Sequence, residues 1–143
     1  MSVSRRQDYP FEVELEVRDY ECDLQGVVNN AVYLNYLEHA RHRCLLETGL
    51  DFARLHEQGC DLVLMRAEVD YLSPLRSGDR FVVGSRLGRG GRVRWIFDQE
   101  IFRLPDGESV VRARMEGTGV IGGRPRLTPE VQALLDAAGE AAP

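Results

Sequence analysis

The sequence predicts an α+β fold in which one antiparallel sheet of five strands wraps a single long helix. Three observations carry this expectation: a strand of period two near the start, one strongly helical stretch, and four β-rich segments split by short glycine turns.

In the first strand, Phe11, Val13, Leu15 and Val17 alternate with Glu12, Glu14 and Glu16, as a half-buried strand requires. From Asn30 the period changes. Tyr33, Leu37, Ala40 and Cys44 recur at helical steps, and Leu34, Leu45 and Leu46 widen the apolar face. The helix should run to about Thr48, where Gly49 stops it, and should be largely enclosed. A short second helix is expected from Asp51, its cap, to Gln58, with Gly59 as its end. Candidate strands follow at Leu62–Leu72, Arg80–Leu87, Val93–Arg103 and Glu108–Ile121, separated by SPLRSGD, GRGGR and LPDGE. Links this short suit antiparallel hairpins, not crossover connections. Beyond Pro125, Thr128 should cap a brief helix through Val131, Leu134 and Leu135, and AAGEAAP should fray.

A chain of 143 residues should form one domain, with its core over about residues 11–127 and a short helix and tail over 128–143. With 43% hydrophobic and 29% charged residues, the composition excludes a disordered chain. No apolar run is long enough for a membrane span, and MSVSRRQDYP lacks the apolar centre of a signal peptide, so a cytoplasmic location is expected. Cys22, Cys44 and Cys60 show no CxxC spacing and imply neither a disulfide framework nor a zinc knuckle. A net charge of −5 opposes nucleic-acid binding as the main activity. All 18 basic residues are arginine, so a lysine Schiff base is excluded and any phosphate must meet guanidinium groups or backbone amides.

The chemistry concentrates in ECDLQGVVNNAVYLNYLEHARHR, Glu21 to Arg43, where an acidic loop runs straight into the long helix. A helix N-terminus carries unpaired N–H groups and about half a positive charge, so a carbonyl oxygen placed there is polarised. Asn30 lies seven positions after Asp23, enough for the chain to fold back at Gly26 and bring carboxylate and helix end to one pocket. Glu38 stands between Leu34 and Leu45 on the helix, a placement that invites a raised pKa or a bound water.

The motif D-x-x-G-x-V-N-N-A-x-Y-x-x-Y-x-E, formed by Asp23, Gly26, Val28, Asn29, Asn30, Ala31, Tyr33, Tyr36 and Glu38, resembles the signature of hotdog-fold acyl-CoA thioesterases related to 4-hydroxybenzoyl-CoA thioesterase. EVDYLSPLRSGDRFVV and RWIFDQEIFR resemble strands of that family, so the likeness covers roughly residues 13–127. It implies a sheet curled round the helix, homodimers with active sites at the interface, often paired into dimers of dimers, and an acyl-CoA substrate with no metal and no cofactor beyond coenzyme A itself. It also implies that Asp23 is nucleophile or general base, that the Asn30 amide holds the thioester oxygen, and that Glu38 is a second carboxylate. The resemblance likewise implies that Gly26, Val28, Asn29 and Tyr33 shape the substrate pocket. Many bacterial relatives carry Tyr-His where this chain has Asn29 and Asn30, a departure pointing away from hydroxybenzoyl-CoA and toward broader acyl-CoA substrates.

Each residue also has a plainer reading. Asp23 suits an Asx turn, Asn29 and Asn30 suit N-caps, Tyr33 and Tyr36 suit packing, and Glu38 suits pairing with Arg41 or His42. His39, His42 and His56 form no helical metal motif, and Asp19, Glu21 and Asp23 share one solvated face without an oxygen-ligand loop pattern. GRGGRVR suits a hairpin turn, yet coenzyme A phosphates need cationic partners, for which Arg89, Arg92, Arg124 and Arg126 are the candidates. The expected activity is hydrolysis of an acyl-CoA to free acid and CoA. Two rivals are a hotdog dehydratase or hydratase, which needs a histidine absent from Asp23 to Glu38, and a non-catalytic acyl-CoA-binding protein.

Overall fold

The computed structural model describes residues 5–143, so the first four residues of the expected domain lie outside the described residues. The elements in order are β1 (Phe11–Glu16), α1 (Asn30–Glu47), α2 (Phe52–Glu57), β2 (Cys60–Tyr71), β3 (Arg80–Gly91), β4 (Arg94–Arg103), β5 (Ser109–Ile121), β6 (Arg124–Pro125) and α3 (Pro129–Ala138). The sheet order is β1-β3-β4-β5-β2, with β6 paired to β5, and every pairing is antiparallel. The sheet curls round α1, the hotdog arrangement that the resemblance implies.

The period-two alternation of β1 places Val13 opposite Val83 and leaves its glutamates exposed. Helix α1 buries Tyr33, Tyr36, Leu37, Ala40, Cys44 and Leu45 against Phe81, Val83, Phe97, Ile101, Val111 and Met115 of the strands. Side chains such as Leu37, Phe81, Ile101 and Met115 have essentially no solvent contact, and each such burial stabilises by about 1.5–3 kcal/mol. Gly49, at φ +88°, lies just beyond the Thr48 C-cap, as its position predicts. Among the described residues, no helix is long and apolar enough to cross a membrane.

Three features depart from expectation. Strand β3 continues through the glycine-rich segment to Gly91, leaving only Arg92 and Val93 as the turn. Glycine is needed there for space: a Cβ at Gly88 would meet the backbone of Ala141. The tail is paired, not frayed, since Arg89 N–H donates to Gly139 O at 2.8 Å and Ala141 N–H to Arg89 O at 2.9 Å. The alternation also lapses in β4, where residues of both faces are buried. The outer face there receives Tyr9, whose ring lies 6.0 Å from Phe102 and whose hydroxyl reaches the fully buried Glu100 at 2.8 Å.

Candidate functional site

The loop between β1 and α1 reverses at Gly26, whose φ of +80° is natural only for glycine. On either side the chain pairs with itself: Asp23 N–H donates to Val27 O at 2.9 Å and Asn29 N–H to Glu21 O at 3.0 Å. The strand carrying Asp23 is thereby fastened beside the residues that begin α1. The Asp23 carboxylate accepts from Gln25 N–H at 2.8 Å and is exposed, so the Asx turn is present and one oxygen has no partner among the described residues.

Asn29 caps α1. Its side chain accepts from Ala31 N–H at 2.9 Å and its carbonyl from Val32 N–H, also at 2.9 Å. That cap consumes the neighbouring donors and leaves the Asn30 N–H without an acceptor among the described residues. An open amide at the positive end of a helix of 18 residues has the chemistry to receive a developing oxyanion. The Asn30 carbonyl accepts from the Tyr71 hydroxyl at 3.3 Å, tying the helix tip to the end of β2.

Val28 is buried, and its N–H donates to Leu75 O at 2.9 Å. Tyr33 is buried with its hydroxyl accepting from Leu75 N–H at 3.0 Å, and burial pushes its phenol above the usual range. Both residues therefore hold the loop between Leu75 and the helix. The sequence reading missed Glu21, a carboxylate with only 9% exposure that takes the Tyr36 hydroxyl at 2.8 Å and the Arg18 N–H at 2.8 Å. Burial first, and then this bond, raise the Tyr36 phenol far above its ordinary value. The three-residue spacing of Tyr33 and Tyr36 put both on one helix face, but nothing nearby in sequence marked Glu21 as their partner.

Glu38 departs from expectation. It is more than half exposed and lies 3.8 Å from His42 of its own helix, so it is not enclosed by Leu34 and Leu45. The helix turns the buried stripe of Leu37, Ala40 and Arg41 inward and sets Glu38 beside it at the mouth of a cavity. Asp23 and Glu38 share no hydrogen-bond partner among the described residues. A second, open groove beside the loop has about 840 Å³ of space and is bordered by Arg18, Tyr20, Asn35, Tyr36, His39 and Ser77.

Of the four arginines, Arg89 is engaged with α3. Its guanidinium donates to the Asp136 carboxylate at 2.8 Å and to the Gln132 side chain at 2.9 Å, with only 14% of its side chain exposed. Those bonds withdraw it from phosphate binding. Arg92, Arg124 and Arg126 are exposed, and no acceptor holds their side chains among the described residues. Arg124 pairs with Ile121, which in turn faces Cys60 at the start of β2, whereas Asn30 is tied to Tyr71 at its end. Eleven residue steps of the twelve-residue β2, about 36 Å of contour, separate the two ends within one chain.

Residues 17–138 match the family model described as Thioesterase-like superfamily. The chain is 47% identical over 103 residues to the acyl-acyl carrier protein thioesterase ATL3, chloroplastic, of Arabidopsis thaliana, an alignment covering 72% of this chain and 54% of that protein. The chain thus spans about half the length of the first curated relatives it matches, 54% and 57%. A thioesterase of Thermus thermophilus, crystallised with coenzyme A and Zn, superposes with a TM-score of 0.77 at 33% identity, over 91% of this chain and 94% of that one. The 1,4-dihydroxy-2-naphthoyl-CoA thioesterase of Synechocystis gives a TM-score of 0.83 over 88% and 95% of the two chains, at 22% identity, a likeness of fold alone.

Proposed function

The chain belongs to the thioesterase-like superfamily, and from that premise we propose that it hydrolyses the thioester of an acyl-CoA or of an acyl-carrier-protein conjugate. The observation that carries the reading is the self-paired loop, which fastens the backbone of Asp23 to the segment leading into α1, where the first amide, that of Asn30, stays open. Relatives named for acyl carrier protein and for coenzyme A support both carriers, since the scissile bond is the same.

In this mechanism the thioester carbonyl lies against the Asn30 N–H. Asp23 either attacks the carbon to form an acyl-enzyme anhydride that water then cleaves, or takes a proton from the attacking water. In both routes negative charge gathers on the carbonyl oxygen, where one fixed donor contributes about 2.7–4 kcal/mol. The thiolate leaves, is protonated by solvent, and the free acid follows. Glu38, eight residues along α1, is an assisting group only if a partner chain brings it to the site.

A homodimer is part of the proposal. Strand β2 is an edge with unpaired backbone groups, and Leu64, Met65, Tyr71 and Leu72 expose apolar surface along it. Antiparallel pairing of two β2 strands would set the Cys60 end of one chain, with Arg124 and Arg126, near the Tyr71 end of the other. Arginines too distant within one chain would then reach the coenzyme A phosphates across the interface.

The test is Asp23→Asn, assayed on dodecanoyl-CoA and dodecanoyl-acyl carrier protein with a thiol reagent. Hydrolysis should fall at least about a hundredfold, the ordinary weight of such a group, while circular dichroism stays unchanged. A variant with full activity and an intact fold refutes the assignment.

A further inference from the structure

We infer that the cavity beneath the second half of α1 binds an aliphatic carboxylate, with Arg41 as the cation that receives it and α3 as a wall for the chain. The cavity holds about 100 Å³ and lies between α1, α2, the sheet and α3. An apolar cavity of about 150 Å³ holds benzene, so this smaller one takes about four carbons of a chain, and the rest of a longer chain lies at its mouth beside Glu38. Leu62, Trp95, Phe97, Val131 and Leu134 give it apolar walls, whereas α1 presents Glu38, Arg41 and His42.

Arg41 is the residue these walls leave unexplained. It is 9% exposed, and its guanidinium has one bond, Nη1 to Gln99 Oε1 at 3.1 Å. Gln99 is itself fully buried and fixed by Leu37 O at 3.0 Å and Ser85 Oγ at 2.9 Å, so it offers Arg41 a neutral oxygen and no charge. A guanidinium has five N–H donors, and the others find no acceptor among the described residues. Among those residues no buried side-chain nitrogen is both sealed and unbonded, so the unbonded nitrogens of Arg41 keep some accessible surface, and Arg41 is one of the residues lining the cavity. Glu38 is the acidic neighbour that acts on Arg41, yet it is more than half exposed and its ion contact is with His42 at 3.8 Å. Burial accordingly pulls the Arg41 guanidinium below its usual value.

A buried cation whose one hydrogen-bond partner is neutral, beside an apolar hole, selects a ligand with both halves of that chemistry. A carboxylate accepts two parallel N–H bonds from a guanidinium, and an alkyl chain fills the remaining space. A phosphate or a nucleotide would leave the apolar walls unused. The inference goes beyond hydrolysis at Asp23 and does not require it. The carboxylate can belong to a free fatty acid, including the product of hydrolysis, or to the far end of a dicarboxylic acyl group.

The experiment is a titration of the wild-type chain with octanoic acid and, separately, octan-1-ol, read by the fluorescence of Trp95, the chain's single tryptophan and part of the cavity wall. The acid should bind at least about tenfold tighter than the alcohol. R41M should remove that preference and R41K should keep part of it, while L134F should weaken acid and alcohol alike. Equal binding of acid and alcohol to the wild type overturns the proposal, as does an acid preference that survives in R41M. If R41M fails to fold, the wild-type comparison still decides. The readout involves no turnover, so an inactive protein that binds the acid sinks only the thioesterase reading. Rates on octanedioyl-CoA and octanoyl-CoA then separate the sources. An advantage for the diacid that disappears in R41K or R41M assigns the carboxylate to the substrate; equal rates with tight acid binding assign it to the free acid.

Discussion

The Tyr36 hydroxyl donates to the Glu21 carboxylate at 2.8 Å, joining the first turns of α1 to the loop that carries Asp23. Glu21 Oε1 also accepts from the Arg18 N–H at 2.8 Å, so one buried oxygen fixes both sides of the turn. Tyr36→Phe leaves that carboxylate short of a donor, and a hydrogen bond to a charged group contributes about 1.5–3 kcal/mol. Urea unfolding should show a loss of about 2 kcal/mol; a loss within error would mean that water replaces the hydroxyl without cost.

The same bond has a pH signature. Burial and Glu21 raise the folded Tyr36 phenol, so the unfolded chain releases its proton near pH 10 while the folded chain keeps it. The contribution is complete below pH 10 and is lost as pH climbs toward the folded value, by up to about 1.4 kcal/mol per pH unit for this residue. Wild-type stability should therefore decline above pH 10 more steeply than that of Tyr36→Phe. Parallel slopes would contradict this.

Asn29→Ala removes the acceptor for Ala31 N–H. The loss of a cap costs about 1 kcal/mol. Because the freed amide and a loosened first turn disturb the neighbouring Asn30 donor, kcat should drop further than KM rises. The alternative outcome, a lower Tm with unaltered kcat, would confine Asn29 to a capping role.

The arginines divide into two kinds. Arg89→Met cuts the bonds to Asp136 and Gln132 and should lower Tm with no change in KM for CoA esters. Arg124→Ser with Arg126→Ser should do the opposite, raising KM severalfold while Tm holds, because both side chains are exposed. If Arg89→Met alone raised KM, the phosphate site would have to move to the α3 side.

The three thiols should differ in reactivity. Burial pushes Cys44 up to about 12 and raises Cys60 as well, so both remain protonated at pH 8. Cys22 is half-buried, and a chromogenic disulfide should titrate about one thiol per native chain quickly, then two more on adding denaturant. Fast release of all three would show that the core opens far more readily than its packing implies.

Legibility in the sequence followed locality. The β1 alternation, the step pattern of α1, the turn at Gly26 and the caps Asp51 and Thr128 are all set by residues a few positions apart, and the elements stand where those signals put them. Features made by distant contacts were not readable. The pairing of the tail with Arg89 joins residues some fifty positions apart, and the buried polar pair of Arg41 and Gln99 joins helix to sheet. Glu38 shows the same limit from the other side. Apolar neighbours in sequence suggested enclosure, but a helix rotates each residue by a fixed angle, and that angle carried Glu38 toward solvent.

The phenol of Tyr71 donates to the carbonyl of Asn30, so the outermost strand is tied directly to the tip of α1. On the proposed mechanism, anything that docks along that strand would act on the amide that receives the thioester oxygen. If two chains pair along that strand as proposed, specific activity should fall on dilution, and a Tyr71→Phe chain should lose part of that sensitivity to concentration.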